Sequence, residues 1–171
     1  MYQMQNATVA EMIAALDADR AANQAKFGAL DPNAVVYADG PWTVTNIICH
    51  LTIWEEEFLK GLQAHQAGQG YLTEMPDLEG EAALNAFNGR TVAERNQLSY
   101  EQALEQWTNV RQQIKNTLAS FTPEQLAAPM IAPWGGEAAS PVAQTGGCIW
   151  HEGHHLKETL AAVGNDSAQV G

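Results

Sequence analysis

Apolar residues recur at three- and four-residue spacing through four long stretches of this 171-residue chain. No stretch of β-branched residues alternates at a spacing of two. The first period is that of a helix face and the second that of a strand, so the pattern predicts helices and leaves a sheet nothing to be built from. The first stretch opens at Thr8, a good N-cap, with Glu11 placed to complete a capping box. Val9, Met12, Ile13 and Leu16 give it one apolar face, which fades toward Leu30 before Asp31-Pro32-Asn33 breaks the chain. The second follows Gly40-Pro41-Trp42, carries Ile47, Leu51, Trp54, Phe58 and Leu62 with Glu55, Glu56 and Glu57 beside them, and ends in the Ala-Gly-Gln-Gly at 67–70. The third has a capping box at Ser99 and Gln102 and a stripe of Leu104, Trp107, Val110, Ile114 and Leu118, stopped by Phe121-Thr122-Pro123. A shorter helix is expected between Glu79 and Asn96. A loop holding Pro129, Pro133, Gly135, Gly136 and Pro141 precedes the last helix, expected over 143–163, and the tail from 165 is expected to fray.

Four such helices in one chain of this length most simply make a single all-α bundle domain over residues 1–171. Apolar residues at 46% and charged ones at 16% are those of a globular protein. Lys+Arg is 8 against Asp+Glu 20, a net charge of -12, which repels phosphate backbones and anionic lipid. Nucleic acid and membrane surfaces are therefore not expected partners. The first twelve residues have neither the basic nor the apolar region of a secretory signal, and no run approaches the ~18 apolar residues of a membrane span, so a cytoplasmic location is expected. Two cysteines, Cys49 and Cys148, are too few for a disulfide scaffold.

The histidines carry the chemistry. His50 lies three residues after Ile47 and four before Trp54, on or beside the buried stripe of its helix. His151 and His155 are four apart and share a helix face one turn apart. Two imidazoles so spaced can reach one metal, and a third from a facing helix leaves coordination positions open for water or substrate. Five histidines in a chain of this length produce such a pair by chance in about one sequence in ten, so the pair alone does not decide. The helical wheel adds a constraint: Ile149, Leu156 and Leu160 form the aliphatic stripe of the last helix, while His151 and His155 point elsewhere, on a side with Cys148, Thr159 and Ala162. A metal site there needs that helix to be buried on two sides.

His151-Glu152-Gly153-His154-His155 also matches the H-E-x-x-H pattern of zincin proteases, in which the Glu is a general base. Against it, no further H-x-x-G-x-x-H continuation follows, and Gly153 weakens the helix the motif needs. Glu152 and Glu158 flank the pair and are the candidate catalytic or supporting carboxylates, weighed against the ordinary fate of acidic side chains as solvated surface. Cys49 and Cys148 read as small buried thiols more readily than as nucleophiles. Trp54 and Trp150 are candidates to line a pocket, His154 is a reserve ligand, and His65, in a polar helix end, is expected to be exposed.

Trp42-Thr43-Val44-Thr45-Asn46-Ile47-Ile48-Cys49-His50-Leu51, with Trp54-Glu55 following, resembles the second-helix signature of the DinB/YfiT proteins. The Pro-Trp-Gly-Gly at 133–136 and the last helix with His151 and His155 resemble that family's C-terminal H-x-x-x-H, and the segment 118–126 resembles the colibactin self-resistance (ClbS/DfsB-like) members. The resemblance implies an up-down-down-up four-helix bundle, frequently a homodimer, with one divalent metal (nickel or zinc) held by His50, His151 and His155. It further implies an enzyme acting on a small electrophile, either a thiol-dependent transferase or isomerase using a low-molecular-weight thiol, or a hydrolase. The alternatives are a bundle that sequesters a small molecule without turnover, and one with a vestigial site working through a dimer interface.

Overall fold

The computed structural model describes residues 7–37, 40 and 42–166. Four long helices dominate: α1 (Val9–Phe27), α2 (Val44–Gln66), α4 (Tyr100–Ala119) and α6 (Pro141–Asp166). Between them lie a hairpin of β1 (Val35–Tyr37) and β2 (Trp42–Thr43), a shorter helix α3 (Gly80–Ala93) and one turn and a half of helix, α5 (Pro123–Ala127). The starts follow from local chemistry. The Thr8 hydroxyl accepts from the Glu11 amide at 3.2 Å while the Glu11 carboxylate accepts from the Thr8 amide at 2.7 Å. Ser99 with Gln102 does the same for α4, and Thr43 with Asn46 for α2. Among the described residues no helix is long and apolar enough to cross a membrane.

Shared clusters give the direction of each helix. Phe27, at the end of α1, packs with Ile47, Ile48 and Leu51 near the start of α2 and with Ala103 and Trp107 near the start of α4. Met12 and Leu16, near the start of α1, pack with Phe58 and Leu62 late in α2, Ile114 and Leu118 late in α4, and Ile149 early in α6. So α1 and α6 run one way, α2 and α4 the other, and the order along the chain is up-down-down-up. The parallel pair α2–α4 is possible because the chain travels back through α3, which lies on α2 through Phe87 and Val92 against Ile53 and Trp54.

A buried ionic quartet crosses the middle of the bundle. Arg20 of α1 reaches Glu55 of α2 at 2.6 Å and Glu152 of α6 at 3.0 Å. Arg111 of α4 reaches Glu152 at 2.7 Å and also pairs with Glu55. All four side chains are at most 7% exposed. Asn23 donates to the other Glu152 oxygen at 3.0 Å, and the Arg20 guanidinium lies 3.7 Å over the Trp107 ring and donates to the Trp107 carbonyl at 2.5 Å. Burial would push the Glu55 carboxyl up, but the Arg111 and Arg20 guanidiniums outweigh it and hold it below the ordinary carboxylate range. At Glu152 burial outweighs the same two guanidiniums and the carboxyl sits above its ordinary value.

Three expectations need correction. A sheet does exist: Val35 pairs with Thr43 and Tyr37 with Trp42, antiparallel, in strands too short to reveal a two-residue period. Phe121-Thr122-Pro123 does mark the end of α4, which stops at Ala119, but Thr122 then caps the short α5, with Pro123 at a first-turn position where a missing N–H costs little. The last helix runs from Pro141 to Asp166, longer than expected at both ends, so the tail expected to fray reduces to 167–171, which lies outside the described residues. Leu160 belongs to no buried stripe: it is 39% exposed, and α6 instead buries Thr145, Cys148, Ile149, Glu152, Leu156 and Thr159.

Replacing one member of the quartet leaves an uncompensated charge in the core, at a cost of about 3–5 kcal/mol. Arg111→Met is expected to lose that much stability in urea unfolding, and Arg111→Met with Glu55→Met, which restores neutrality, is expected to recover most of it.

Candidate metal centre

α2 and α6 bring the three histidines together. His50, on the α6-facing side of α2, is 3% exposed, and its Nε2 stands 3.2 Å from His151 Nε2 and 3.1 Å from His155 Nε2. The His151 and His155 Nε2 atoms are themselves 3.1 Å apart. Nitrogens bound to one ion at the usual ~2.0–2.1 Å lie roughly 3 Å from one another, so this is the spacing of a ligand set. No other group of three or more such side chains among the described residues converges in this way.

The surroundings fix one tautomer. His155 Nδ1 lies 3.1 Å from the Tyr37 hydroxyl and 3.1 Å from Glu158 Oε2, while the Tyr37 hydroxyl donates its own hydrogen to the same Glu158 oxygen at 2.5 Å. Both neighbours of Nδ1 can thus only accept, so Nδ1 carries the hydrogen and Nε2 presents a bare lone pair to the other two rings. Burial and then the Glu158 carboxylate push the Tyr37 phenol well above its ordinary value, so it remains a donor. Burial would raise the Glu158 carboxyl, but the Tyr37 hydrogen bond and the neighbouring His154 and His155 outweigh it and hold it low. Burial also keeps the imidazoles neutral: His50 lies well below its ordinary value, helped by His151 and His155, and His151 is pushed down to about 3 by burial and by His155. His155 is lowered as well, again first by burial. Three neutral imidazoles whose Nε2 atoms converge, one of them held with its lone pair inward, suit a cation, so the residues present fit a divalent metal.

The centre opens on a cavity of about 1410 Å³ between α2, α3, α6 and the 134 loop. Trp42 covers one side of His50, ring centroids 5.2 Å apart. Trp134 is brought in by two close approaches: a Cβ on Gly61 would lie 2.9 Å from Pro133, and one on Gly147 would lie 3.4 Å from the Trp134 ring. Small residues at 61 and 147 thus let the loop lie flat on α2 and α6, with Trp134 6.3 Å from Trp54.

The family model of the DinB superfamily matches residues 15–159. The chain belongs to the DinB superfamily. No curated protein matches the sequence. Among solved structures, the fold is similar to that of YfiT from Bacillus subtilis, described as a probable metal-dependent hydrolase with an unusual four-helix bundle topology. That match has TM-score 0.70 and 14% identity over 98% of this chain and 92% of that one. It is similar too to a mycothiol-dependent maleylpyruvate isomerase, at TM-score 0.70 and 8% identity over 93% of this chain. The chain spans 63% of the isomerase's length. The colibactin self-resistance protein ClbS, solved in complex with a double-stranded DNA, matches at TM-score 0.59 and 17% identity, over 82% of this chain and 92% of that one. At these identities the likeness is one of fold, and it agrees with the DinB bundle.

The remaining expected site residues divide. Glu158 stands behind His155, as a supporting carboxylate does. Glu152 does not: both its oxygens are taken by Asn23, Arg20 and Arg111 inside the quartet, so the general base that the H-E-x-x-H reading needs is turned away from the imidazoles. His154 is exposed, stacks on Trp150 with the rings 12° apart, and pairs with Glu158 Oε1 at 3.2 Å without joining the three nitrogens. His65 is half-buried, not exposed, its Nε2 2.8 Å from the Gln125 carbonyl. Cys49 and Cys148 are buried free thiols, Cys49 pushed up to about 11 by burial and Cys148 higher still, so neither is a thiolate at neutral pH. Trp54 and Trp150 both line the cavity. Tyr37 belongs to no sequence motif; its only signal is a Val35-Val36-Tyr37 run with the β-branched and aromatic character of an edge strand.

Two outcomes follow from this geometry. Glu158→Gln removes the carboxylate that orients His155 and is expected to weaken metal binding ~10–100-fold, read by competition with a chromogenic chelator. In chelator-stripped protein, His50 and His151 stay neutral when folded while the unfolded chain takes up protons below about pH 6.5. Stability is therefore full above that pH and falls as pH drops toward 5, by up to about 1.4 kcal/mol per pH unit for each ring. Urea midpoints measured between pH 8 and 5 check the sign, and His151→Gln is expected to flatten the fall.

Proposed function

We propose that this DinB-family bundle is an enzyme using one divalent metal ion, nickel or zinc, to act on a small electrophile, with water or a low-molecular-weight thiol as nucleophile. The observation that carries the reading is the convergence of three neutral imidazole Nε2 atoms at the wall of an open cavity. His50, His151 and His155 are the proposed ligands. When bound there, a divalent ion supplies Lewis acidity, lowering the pKa of water or thiol and polarising a carbonyl.

The chain's own residues do the rest. Glu158 Oε2 accepts from Tyr37 and His155 Nδ1, which pins the His155 ring. Its Oε1, beside His154, is the proposed proton acceptor from the nucleophile. Glu152 is proposed as a positioning residue: anchored by Arg20 and Arg111, it fixes the helical turn that carries His151 and His155. The cavity is larger than the ~300–1,000 Å³ usual for one drug-sized ligand, which supports two reactants bound together, as a thiol transfer or thiol-assisted isomerisation needs. Hydrolysis is the second reading, favoured by the likeness to YfiT. Small molecules rather than nucleic acid are the proposed partners, because a net charge of -12 opposes a phosphate backbone. A gel-shift titration with duplex DNA at physiological salt is expected to stay blank.

Metal content decides the central point. Inductively coupled plasma mass spectrometry on untagged protein is expected to find close to one equivalent of nickel or zinc, lost in both His50→Ala and His155→Ala. Wild-type protein that takes up no metal even after supplementation overturns the reading.

A further inference from the structure

The walls of the cavity carry a charge pattern that selects its ligand. Four of the chain's 5 tryptophans line it: Trp42, Trp54, Trp134 and Trp150. Trp134 and Trp150 are 42% and 58% exposed there, and Leu78 and Leu84 are exposed beside them. Large apolar side chains left open to solvent around one mouth mark a place where something apolar binds. Their convergence on the three histidines makes that occupant a small ligand of the site and not a partner protein.

All 8 Lys and Arg residues of the chain lie among the described residues, and none lines the cavity. Arg20 and Arg111 are enclosed in the quartet, and Lys60, Arg95 and Lys115 are paired with Glu57, Glu56 and Asp17. Lys26, Arg90 and Lys157 are not among the lining residues. The acidic groups behave in the opposite way: Glu81 and Glu158 both line the cavity, while Glu55, which also reaches it, is balanced by Arg20 and Arg111. The one helix start at the wall, that of α3, already carries Glu81 in its first turn. An anion entering here meets indole faces and carboxylates and no Lys or Arg side chain on the wall. A neutral ring meets the indoles alone, and a cation meets indole faces, which attract it.

We propose that the cavity takes a ligand with a flat, apolar body and no negative charge, so that the electrophile handled at this centre is a neutral or cationic aromatic compound and not a dicarboxylate or other anion. The inference rests on the reading of the cavity as the substrate site of the metal centre, but its charge preference belongs to the protein wall and persists without metal. Dicarboxylates and strongly anionic thiols are correspondingly excluded as the chain's natural pair of reactants.

The test uses three probes of one shape, naphthamide, naphthylmethylammonium and naphthoate, titrated by isothermal calorimetry into chelator-stripped and into metal-loaded wild-type protein. In stripped protein the amide and the ammonium are expected to bind at least ~10-fold more tightly than the carboxylate, a difference of ~1.4 kcal/mol. Trp150→Ala, at an exposed wall position, is expected to weaken the amide ~5-fold or more, on the scale of an aromatic contact. Asn85→Lys, which places a cation on the lining, is expected to narrow the gap against naphthoate. Naphthoate binding to stripped wild-type protein as tightly as the amide overturns the proposal, and so does an absence of saturable binding by all three probes. Naphthoate binding to metal-loaded protein more weakly than the amide supports the proposal, and naphthoate matching the amide there overturns the exclusion of anionic substrates while leaving the metal reading standing. Protein that takes up no metal but keeps the amide-over-carboxylate order defeats the metal reading while leaving the charge preference standing.

Discussion

Each of the four long helices gives one charge to a single buried quartet: Arg20 from α1, Glu55 from α2, Arg111 from α4 and Glu152 from α6. Two guanidiniums and two carboxylates balance, and the leftover capacity is filled by Asn23 and the Trp107 carbonyl, so no charge is left to be desolvated alone. Such a set adds little net stability over an apolar core of equal volume, because the cost of removing the charges from water offsets most of their attraction. What it does add is register. Apolar stripes let helices slide by a turn at small cost, but a one-turn slip here would separate every partner and leave four buried charges unmet.

That register is also the register of the histidines. Glu152 follows His151 directly in sequence, and Glu55 lies five residues beyond His50. Fixing Glu55 and Glu152 against the same two guanidiniums sets the height of α2 relative to α6, and with it the meeting of His50 with His151 and His155. The two faces of α6 therefore depend on one another: the face carrying Glu152 is locked in the bundle, which frees the adjacent face to present imidazoles to a cavity. This resolves the tension in the helical wheel. The last helix is buried on two sides, one of them polar, and its buried face is marked by Thr145, Cys148, Glu152 and Thr159 more than by leucines.

Most of the bundle could be read from the sequence because its elements declare themselves locally. Thr8, Ser99 and the stripe from Ile47 to Leu62 announce caps and faces without any knowledge of what they touch. The three histidines could be read as a set because the spacing of two of them and the resemblance pointed the same way. The quartet could not: Arg20, Glu55, Arg111 and Glu152 lie 132 positions apart from end to end, and each alone looks like a solvated charge on a helix. The hairpin could not either, since three residues are too few to show a period. Its contribution, Tyr37 against Glu158 and His155, depends on a contact across 118 positions that only the folded chain reveals.

The distribution of positive charge connects the core to the site. With 8 cationic side chains against 20 acidic ones, a bundle that encloses two arginines at its centre has few left for any other use. The rest sit in outward ion pairs or away from the cavity, and the cavity wall is left to tryptophan, leucine and carboxylate. A centre built this way has one place for concentrated positive charge, the point between three imidazole nitrogens. Among the described residues, no Lys or Arg side chain lines the cavity beside that point. The same economy of charge that holds the helices in register thus leaves the cavity wall without a Lys or Arg side chain, and ties its electrostatics to a quartet of which Glu55 alone reaches the wall.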